Sequence, residues 1–379
     1  MKIVFASLPA YGHLYPLLPL AQACQATGHD VVVVTGPPFL DRLPVPTTTG
    51  FPASSTIDGV VAETRVRHPE STGLQLSLAM FADVSAEQTL PGMLAIGEQL
   101  RPDLVVFEGM NSGAGVAASV LGVPAAAFAI GLAPFVYGLL HPETVGYHQS
   151  AWRDRGQPPP SGPVLAEALL DPRPPSLHQE GSGLDVPTIP IRSVAYSDPD
   201  APVPDWLTAS PERPRVYVTL GTVSFGAVEV LRRALDDLAE LDVDVLVSVG
   251  PEGDPSALGD QGERVHAERF VPQSQVLPLV DLVVHHGGTG TVLGALEAGR
   301  PQLLLPQGAD QFINAELIPA VEAGRALVND DQAPGAIAEQ VAAMLGDSVE
   351  TATARRISAE IAAMPAPEEV VAELVALAR

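Results

Sequence analysis

The sequence predicts an α/β protein with two domains, each built on a doubly wound parallel sheet. A chain of 379 residues is longer than one ordinary core can organise. Short apolar strands alternate with helical patterns in both halves: residues 3–8 and 31–35 flank a helical pattern that Gly28 ends, and a second series starts at residues 216–220. Such βαβ units place ligands near the carboxyl ends of the parallel strands.

Proline-rich segments suggest the domain limits. We place an acceptor-binding domain at residues 1–200, a proline-rich linker at 201–214 and a donor-binding domain at 215–379. Proline is also dense between residues 157 and 175, which predicts a long surface loop. The tail after residue 332 has a helical pattern interrupted at Pro365, and its final helix either stays with the second domain or packs back on the first.

Charge and cysteine usage exclude several classes of partner. The formal net charge of -25 repels nucleic acid and anionic membrane surfaces. Cys24 is the only cysteine, so the chain forms no internal disulfide, and a reducing cytoplasm is the expected location. Prolines and glycines interrupt both long apolar stretches, at the N-terminus and at residues 123–140. We therefore expect neither a signal peptide nor a membrane helix.

The most informative segment is residues 283–311. A strand ends at His285, a helix begins near Thr291, and three glycines permit a tight turn between them: Gly287, Gly288 and Gly290. Free amides of the first helical turn, the helix dipole and the Thr289 and Thr291 hydroxyls can bind a diphosphate without a cationic side chain. His286 adds an imidazole. The alternative is an ordinary tight turn, because glycine-rich loops are common.

This segment resembles the donor-binding signature of the family 1 nucleotide-sugar glycosyltransferases. The matching elements are His-His-Gly-Gly-Thr-Gly-Thr at 285–291, Gly-Arg-Pro at 299–301 and the run 306–311, with Phe-Val-Pro-Gln at 270–273 upstream. The resemblance extends over essentially the whole chain. It implies the GT-B fold, in which two Rossmann-like domains flank an interdomain cleft, and a dTDP- or UDP-sugar as co-substrate, with no cofactor.

The resemblance also implies roles for individual residues. His286 would contact the diphosphate, while Asp310 and Gln311 would bind sugar hydroxyls, which suits a carboxylate and an amide. For this pair the alternative is a helix N-cap followed by an exposed polar residue. The full set of predicted donor-binding residues is Gly221, Thr222, Phe270, Val271, Gln273, His286, Gly288, Thr289, Gly290, Thr291, Asp310 and Gln311.

A candidate base lies in the first half. His13 follows the first strand, at the mouth of the predicted sheet, and a histidine side chain ordinarily titrates near neutrality. On position alone, a cap or a buried structural histidine is the alternative. The run Gly12 to Pro16 resembles the catalytic loop of the family. Many members orient this histidine with an aspartate, where this sequence has Glu108, which is one methylene longer.

These assignments predict a metal-independent, inverting transfer to a hydroxyl group of a small hydrophobic acceptor. The resemblance implies natural products such as polyketides or enediynes as acceptors. Apolar residues near predicted loops of the first domain are candidates for the acceptor wall, although each is equally a candidate for the core: Met80, Phe81, Met110, Phe135 and Tyr137.

Three other functions remain open on the sequence. Residues 113–118, Gly-Ala-Gly-Val-Ala-Ala, match a dinucleotide-binding fingerprint and suggest a nicotinamide oxidoreductase. No acid occurs from residue 109 to residue 142, where that fingerprint needs one for the ribose. A sugar-nucleotide epimerase and a non-catalytic binding homologue are the two further alternatives.

Overall fold

The computed structural model describes residues 1–37, 39–52, 56–132, 142–160, 165–178, 186–196, 198, 200–221, 227–251, 253–331 and 333–379. The chain divides into two compact units. The first comprises Met1–Pro172, Gln179–Arg192 and Pro365–Arg379, and the second comprises Arg173–His178 and Ser193–Met364.

The strands of the two units form two separate sheets. The first unit contains β1 (Lys2–Ala6), β2 (Asp30–Thr35), β3 (Thr47–Thr49), β4 (Leu104–Glu108), β5 (Ala125–Phe128), β6 (Ala168–Asp171) and β7 (Thr188–Pro190). The second contains β8 (Arg215–Thr219), β9 (Asp244–Ser248), β10 (Val265–Glu268), β11 (Leu282–His285), β12 (Gln302–Leu304) and β13 (Gly324–Ala326).

Helices connect most of these strands. In chain order they are α1 (Tyr11–Leu14), α2 (Leu18–Ala26), α3 (Ile57–Arg67), α4 (Gly73–Leu78), α5 (Ser85–Leu100), α6 (Ser112–Leu121), α7 (Pro142–Tyr147), α8 (Gln149–Arg153), α9 (Asp205–Thr208), α10 (Ala227–Leu238), α11 (Gln273–Val276), α12 (Thr289–Glu297), α13 (Gln311–Ala320), α14 (Ala336–Met344), α15 (Val349–Ala363) and α16 (Pro367–Ala376). A π-helical turn, Ala79–Val84, joins α4 to α5.

The first sheet is parallel throughout, with the order β3-β2-β1-β4-β5-β6-β7. Its central strands β1 and β4 are almost entirely buried, because helices cover both faces of a doubly wound sheet. This order brings the ends of β1 and β4 side by side, with Ala6 paired to Phe107. The residues that follow these two strands therefore meet at one edge of the sheet.

The second sheet is also parallel, with the order β10-β9-β8-β11-β12-β13. Strand β11 lies between β8 and β12, with His285 paired to Thr219 on one side and to Leu304 on the other. The two sheets confirm the predicted pair of doubly wound α/β units. No helix among the described residues combines the length and apolarity needed to cross a bilayer.

The unit limits differ from the sequence-based ones. Residues 193–214 belong to the second unit, and the stretch expected to be a linker contains α9, whose Leu207 packs with Tyr217 and Val283. The Arg215 guanidinium, which is 5% exposed, donates to the carbonyls of Trp206, Leu207 and Ala209. The proline-rich stretch at residues 201–214 is therefore packed against the second unit and is not a free linker. Helix α16 belongs to the first unit, where it packs against α2.

The expected surface loop at residues 157–175 also contains regular structure. Strand β6 lies within it and is buried at all four positions. Its apolar residues Ala168, Leu169 and Leu170 precede the prolines at 172, 174 and 175, so proline ends the strand without excluding it.

Candidate active site

His13 and Glu108 lie together at the edge where β1 and β4 end. His13 is in α1, directly after β1, and Glu108 is the last residue of β4. The His13 Nδ1 atom is 3.1 Å from Glu108 Oε1. The His13 side chain is 17% exposed, whereas that of Glu108 is fully buried. The structure therefore places an accessible imidazole against a buried carboxylate.

The Glu108 carboxylate is held by the backbone around it. Its Oε1 accepts from the Leu8 amide at 3.4 Å, and its Oε2 accepts from the Met110 amide at 2.7 Å. With His13 Nδ1 as a third hydrogen-bonding partner, these contacts fix the orientation of the carboxylate. In a neutral imidazole whose Nδ1 proton faces a carboxylate, the lone pair lies on Nε2.

An apolar cluster adjoins this pair. Phe81, Leu8, Phe51, Leu78 and Ala82 are buried together, with Met80 and Met110 partly buried against them. The ring centroids of His13 and Phe81 are 5.9 Å apart. Three of the five predicted acceptor residues, Met80, Phe81 and Met110, therefore lie in one cluster beside the imidazole. The other two, Phe135 and Tyr137, lie outside the described residues.

Helix packing accounts for the glycines of the dinucleotide-like fingerprint. Asn111 caps α6 by accepting from the Ala114 amide at 3.3 Å. A Cβ at Gly113 would meet the Thr89 hydroxyl of α5, and a Cβ at Gly115 would lie 2.9 Å from the Phe107 ring. These positions need glycine so that α6 can approach its neighbours closely. The fingerprint thus lends no support to the oxidoreductase alternative.

The predicted glycine turn connects β11 to α12. Gly287 has a φ of +90°, which only glycine adopts readily, and Gly288 occupies the N-cap position without a side-chain cap. The helix begins at Thr289, two residues earlier than the sequence suggests. Amides of the first turn of α12 have no partner within the helix, so this end attracts an anion.

His286 is enclosed by two glycines. A Cβ at Gly288 would fall on the imidazole Nε2, and a Cβ at Gly221, whose φ is +79°, would lie 2.6 Å from its Cε1. Burial lowers the pKa of His286 to about 4, although a hydrogen bond with the Thr219 backbone opposes the shift. His286 is therefore a neutral ring held in place by its close neighbours.

The enclosed ring predicts different effects of alanine substitution at Gly288 and at Gly290. We expect Gly288→Ala to lower the free energy of unfolding by about 1–3 kcal/mol, because the new methyl group overlaps a ring that cannot move. Gly290→Ala is the matched control, since a Cβ there meets nothing within 4 Å. It should leave thermal stability unchanged or slightly raised, because alanine favours a helix. Thermal unfolding of both variants tests this, and equal stability would contradict the enclosure of His286.

The two histidines also predict a pH dependence of stability. Burial is the main cause that lowers the pKa of His285 to about 3, with His286 as a further cause. Since an unfolded histidine titrates near pH 6.5, the unfolded chain binds up to about two more protons than the native protein between pH 6.5 and 4. The free energy of unfolding should therefore be highest above about pH 6.5 and fall as the pH drops towards 4.

Tryptophan fluorescence can measure this in the second unit alone. The chain has two tryptophans, Trp152 in the first unit and Trp206 in the second, so Trp152→Phe leaves one reporter. In that background, His286→Gln should reduce the proton uptake on urea unfolding at pH 5 by about one. Equal pH slopes for the two proteins would show that His286 does not titrate abnormally.

Asp310 and Gln311 lie at the start of α13 and are held by specific contacts. Asp310 occupies the N-cap position, but its side chain makes no capping hydrogen bond. Its Oδ2 accepts instead from the Thr289 hydroxyl at 3.0 Å. Gln311 is 6% exposed, and its Oε1 accepts from the amides of Gln307 at 2.8 Å and Gly308 at 3.1 Å. Neither residue fits the alternative of a cap and an exposed polar side chain.

The remaining predicted donor residues have different surroundings. Phe270 is 45% exposed, whereas Val271 is 2% exposed and packs in the core with Tyr217. Gln273 donates from Nε2 to the Tyr217 hydroxyl at 3.3 Å. Of these three, only Phe270 presents a large exposed surface. Thr291 is 6% exposed in the first turn of α12, and Thr222 lies outside the described residues.

Sequence reasoning missed three residues that support the glycine turn. His285, Gln302 and Asn314 are each fully buried. His285 Nε2 donates to Gln302 Oε1 at 2.8 Å, and Asn314 contacts the Gly287 carbonyl. Two signals were available: a glutamine in the otherwise apolar strand β12, and an asparagine four residues after Asp310 on one helix face.

A cluster able to chelate a metal is not found in the part of the chain that the structure describes, where three or more His, Cys, Asp or Glu side chains nowhere converge.

Comparisons with known proteins match both units. The N-terminal domain model of the erythromycin biosynthesis protein CIII-like family matches residues 22–221, and the C-terminal domain model matches 232–377. L-demethylnoviosyl transferase from Streptomyces niveus is 35% identical over 98% of this chain and 97% of its own length.

Solved structures agree in fold. Glycosyltransferase SnogD from Streptomyces nogalater superposes with a TM-score of 0.84 at 28% identity, covering all of both chains. SsfS6 from Streptomyces sp. SF2575, solved with thymidine diphosphate, has a TM-score of 0.79 at 26% identity and covers 98% of this chain and 99% of its own. The chain therefore belongs to the erythromycin biosynthesis protein CIII-like family and is a nucleotide-sugar-dependent glycosyltransferase with the GT-B fold.

Proposed function

We propose that this enzyme transfers a sugar from a dTDP-sugar to a hydroxyl group of a small hydrophobic natural product of the polyketide type, with inversion at the anomeric carbon. The observation that carries the proposal is the His13–Glu108 pair, an accessible imidazole on a buried carboxylate at the edge of the first sheet. The thymidine diphosphate bound to SsfS6 supports dTDP over UDP.

In this proposal His13 is the general base. Its Nε2 takes the proton of the acceptor hydroxyl as the oxygen attacks the anomeric carbon. Glu108 accepts from the Nδ1 proton, stabilises the imidazolium that forms and holds the ring in the reactive tautomer. Because attack and departure occur on opposite faces in one displacement, the anomeric configuration inverts. The apolar cluster of Phe81, Met80 and Met110 would contact the hydrophobic part of the acceptor.

The glycine turn stabilises the leaving group. Negative charge grows on the diphosphate as the glycosidic bond breaks, and the amides at the start of α12 are already oriented to receive it. The enzyme thus needs no metal ion for this step. Gly221, Gly288 and Gly290 supply backbone close to this site, while His286 contributes as a fixed neutral ring.

The sugar and the base are recognised by other residues of the second unit. Because the Oε1 of Gln311 already accepts from two amides, its Nε2 group remains to donate to a sugar oxygen, and Asp310 accepts from sugar hydroxyls. The exposed ring of Phe270 would contact the nucleotide base. The buried, inert Cys24 fits an enzyme of the reducing cytoplasm, where we place the reaction.

A ligand screen by thermal shift tests the donor assignment. A ligand that binds only the native protein raises its apparent stability, so dTDP should raise the melting temperature more than UDP, GDP or NAD. Gly288→Ala, with its displaced turn, should show a smaller shift with dTDP than the wild type. A response to NAD alone would overturn the assignment, and a larger response to UDP would overturn the choice of dTDP.

A further inference from the structure

Asn314 links the two elements that form the donor site. It lies in α13, four residues after Asp310, and is fully buried. Its Nδ2 donates to the Gly287 carbonyl at 2.8 Å and to Thr289 Oγ1 at 3.2 Å, and it lies 3.4 Å from Asp310 Oδ2. One carboxamide therefore contacts the glycine turn, the first residue of α12 and the proposed sugar-binding carboxylate.

The surrounding oxygens fix the orientation of this carboxamide. The Gly287 carbonyl and the Asp310 carboxylate can only accept hydrogen bonds. The Thr289 hydroxyl donates its proton to Asp310, so towards Asn314 it also acts as an acceptor. All three therefore require the amino group of Asn314. Its Oδ1 is buried and has no hydrogen-bond partner in the described part of the chain, which costs free energy. The position of the Asn314 amino group is thus set by three acceptors at once.

The amide N–H of the same glycine, Gly287, is held by His285. Its Nδ1 accepts from the Gly287 amide at 3.0 Å, while its Nε2 proton goes to Gln302. The low pKa of His285 keeps Nδ1 unprotonated and able to accept at neutral pH. The N–H and the C=O of Gly287 are therefore each engaged by a fully buried side chain, one from β11 and one from α13.

We propose that Asn314 is a positioning residue for the donor. It fixes the Gly287 to Thr289 turn at the place where the diphosphate binds. It also couples that turn to Asp310, which fixes the position of the sugar subsite relative to the diphosphate subsite. This inference rests on the proposed function, because it assumes that the turn receives a diphosphate. It adds that donor affinity depends on a residue that never touches the donor.

Isosteric substitutions separate positioning from packing. Asn314→Leu keeps the approximate volume but removes both donors, and Asn314→Asp keeps the shape but turns an acceptor towards Gly287 and Asp310. Calorimetric titration with dTDP should show binding weaker by about 10- to 100-fold in both variants, because the turn is no longer held. Thymidine, which lacks the diphosphate, should bind each variant within about twofold of its wild-type affinity.

Val341→Ala is the matched control for lost stability. Val341 is fully buried in α14, in a core cluster of the same unit whose described members do not include residues 287–289. It should lower the melting temperature by several degrees, as large-to-small core changes do, while dTDP affinity stays within about twofold of the wild type. Circular dichroism at the titration temperature checks that each variant is folded. If one Asn314 variant does not fold, the other still tests the inference.

The outcomes separate this inference from the proposed function. Wild-type affinity for dTDP in a folded Asn314 variant, or an equal loss in Val341→Ala, would overturn the positioning role and leave the glycosyl-transfer proposal standing. If the wild type bound neither dTDP nor UDP, the proposed donor and the positioning role would both fall. A loss for dTDP that spares thymidine and Val341→Ala supports the assignment.

Discussion

Replacement of His13 by alanine should lower kcat by about 10²- to 10⁴-fold, the range that a positioned general base contributes. The affinity for dTDP should stay within about twofold of the wild type, because the proposed donor residues belong to the second unit and His13 to the first. Steady-state transfer assays and calorimetric titration with dTDP, run on the same preparations, measure the two quantities.

Which kinetic constants change in His13→Ala is as informative as how far kcat falls. A mutation that removes only transition-state stabilisation lowers kcat and kcat/KM equally and leaves the donor dissociation constant alone. His29→Ala, which removes a half-buried histidine that contacts the N-terminal amine, is the control and should retain full activity. Transfer at the wild-type rate by His13→Ala would show that another group takes the proton.

Replacement of Glu108 by glutamine should lower kcat by about 10²- to 10³-fold. The carboxylate accepts from the amides of Leu8 and Met110 and from His13, so the glutamine amino group must face one of these donors. The imidazole then loses its fixed tautomer and the charge that stabilises its protonated form. Thermal unfolding should also reveal a loss of stability, since the side chain is fully buried.

Glu108→Asp distinguishes orientation from charge. The shorter carboxylate keeps the charge but must reach His13 across one methylene less, so activity should fall between those of the wild type and Glu108→Gln. The comparison is made at equal folded fraction, measured by the fluorescence of Trp152 in a Trp206→Phe background, which leaves one reporter in the first unit. Full activity in Glu108→Gln would contradict the role of this carboxylate.

The sequence predicted the central strands and the glycine turn because their signals are local. Residues 282–284 form an apolar run that two histidines separate from the glycines, and a strand, a turn and a helix follow from that pattern alone. Strands β3 and β10 were missed because Thr-Thr-Thr and Val-His-Ala-Glu are short and largely polar. They depend on pairing with a neighbour, which a local pattern does not show.

The part of the candidate site that was predictable from the sequence is the part that strand order alone brings together. The proximity of His13 and Glu108 follows from two adjacent parallel strands, because the residues after β1 and the last residue of β4 share an edge. The contacts of Asn314 and His285 were not predictable, because they join segments whose distance depends on how α13 packs. Val271 illustrates the same limit, since its position in a recognisable run did not reveal that its side chain packs in the core.

The most direct test of the account is a product analysis of the wild-type enzyme with a dTDP-sugar, in the presence and absence of a polyketide acceptor. We expect dTDP and glycosylated acceptor to appear in equal amounts, with the anomeric configuration inverted in the glycoside. Without acceptor, the donor should remain unchanged. Isomerisation of the donor in the absence of acceptor, or release of dTDP with no glycoside formed, would contradict sugar transfer as the function of this protein.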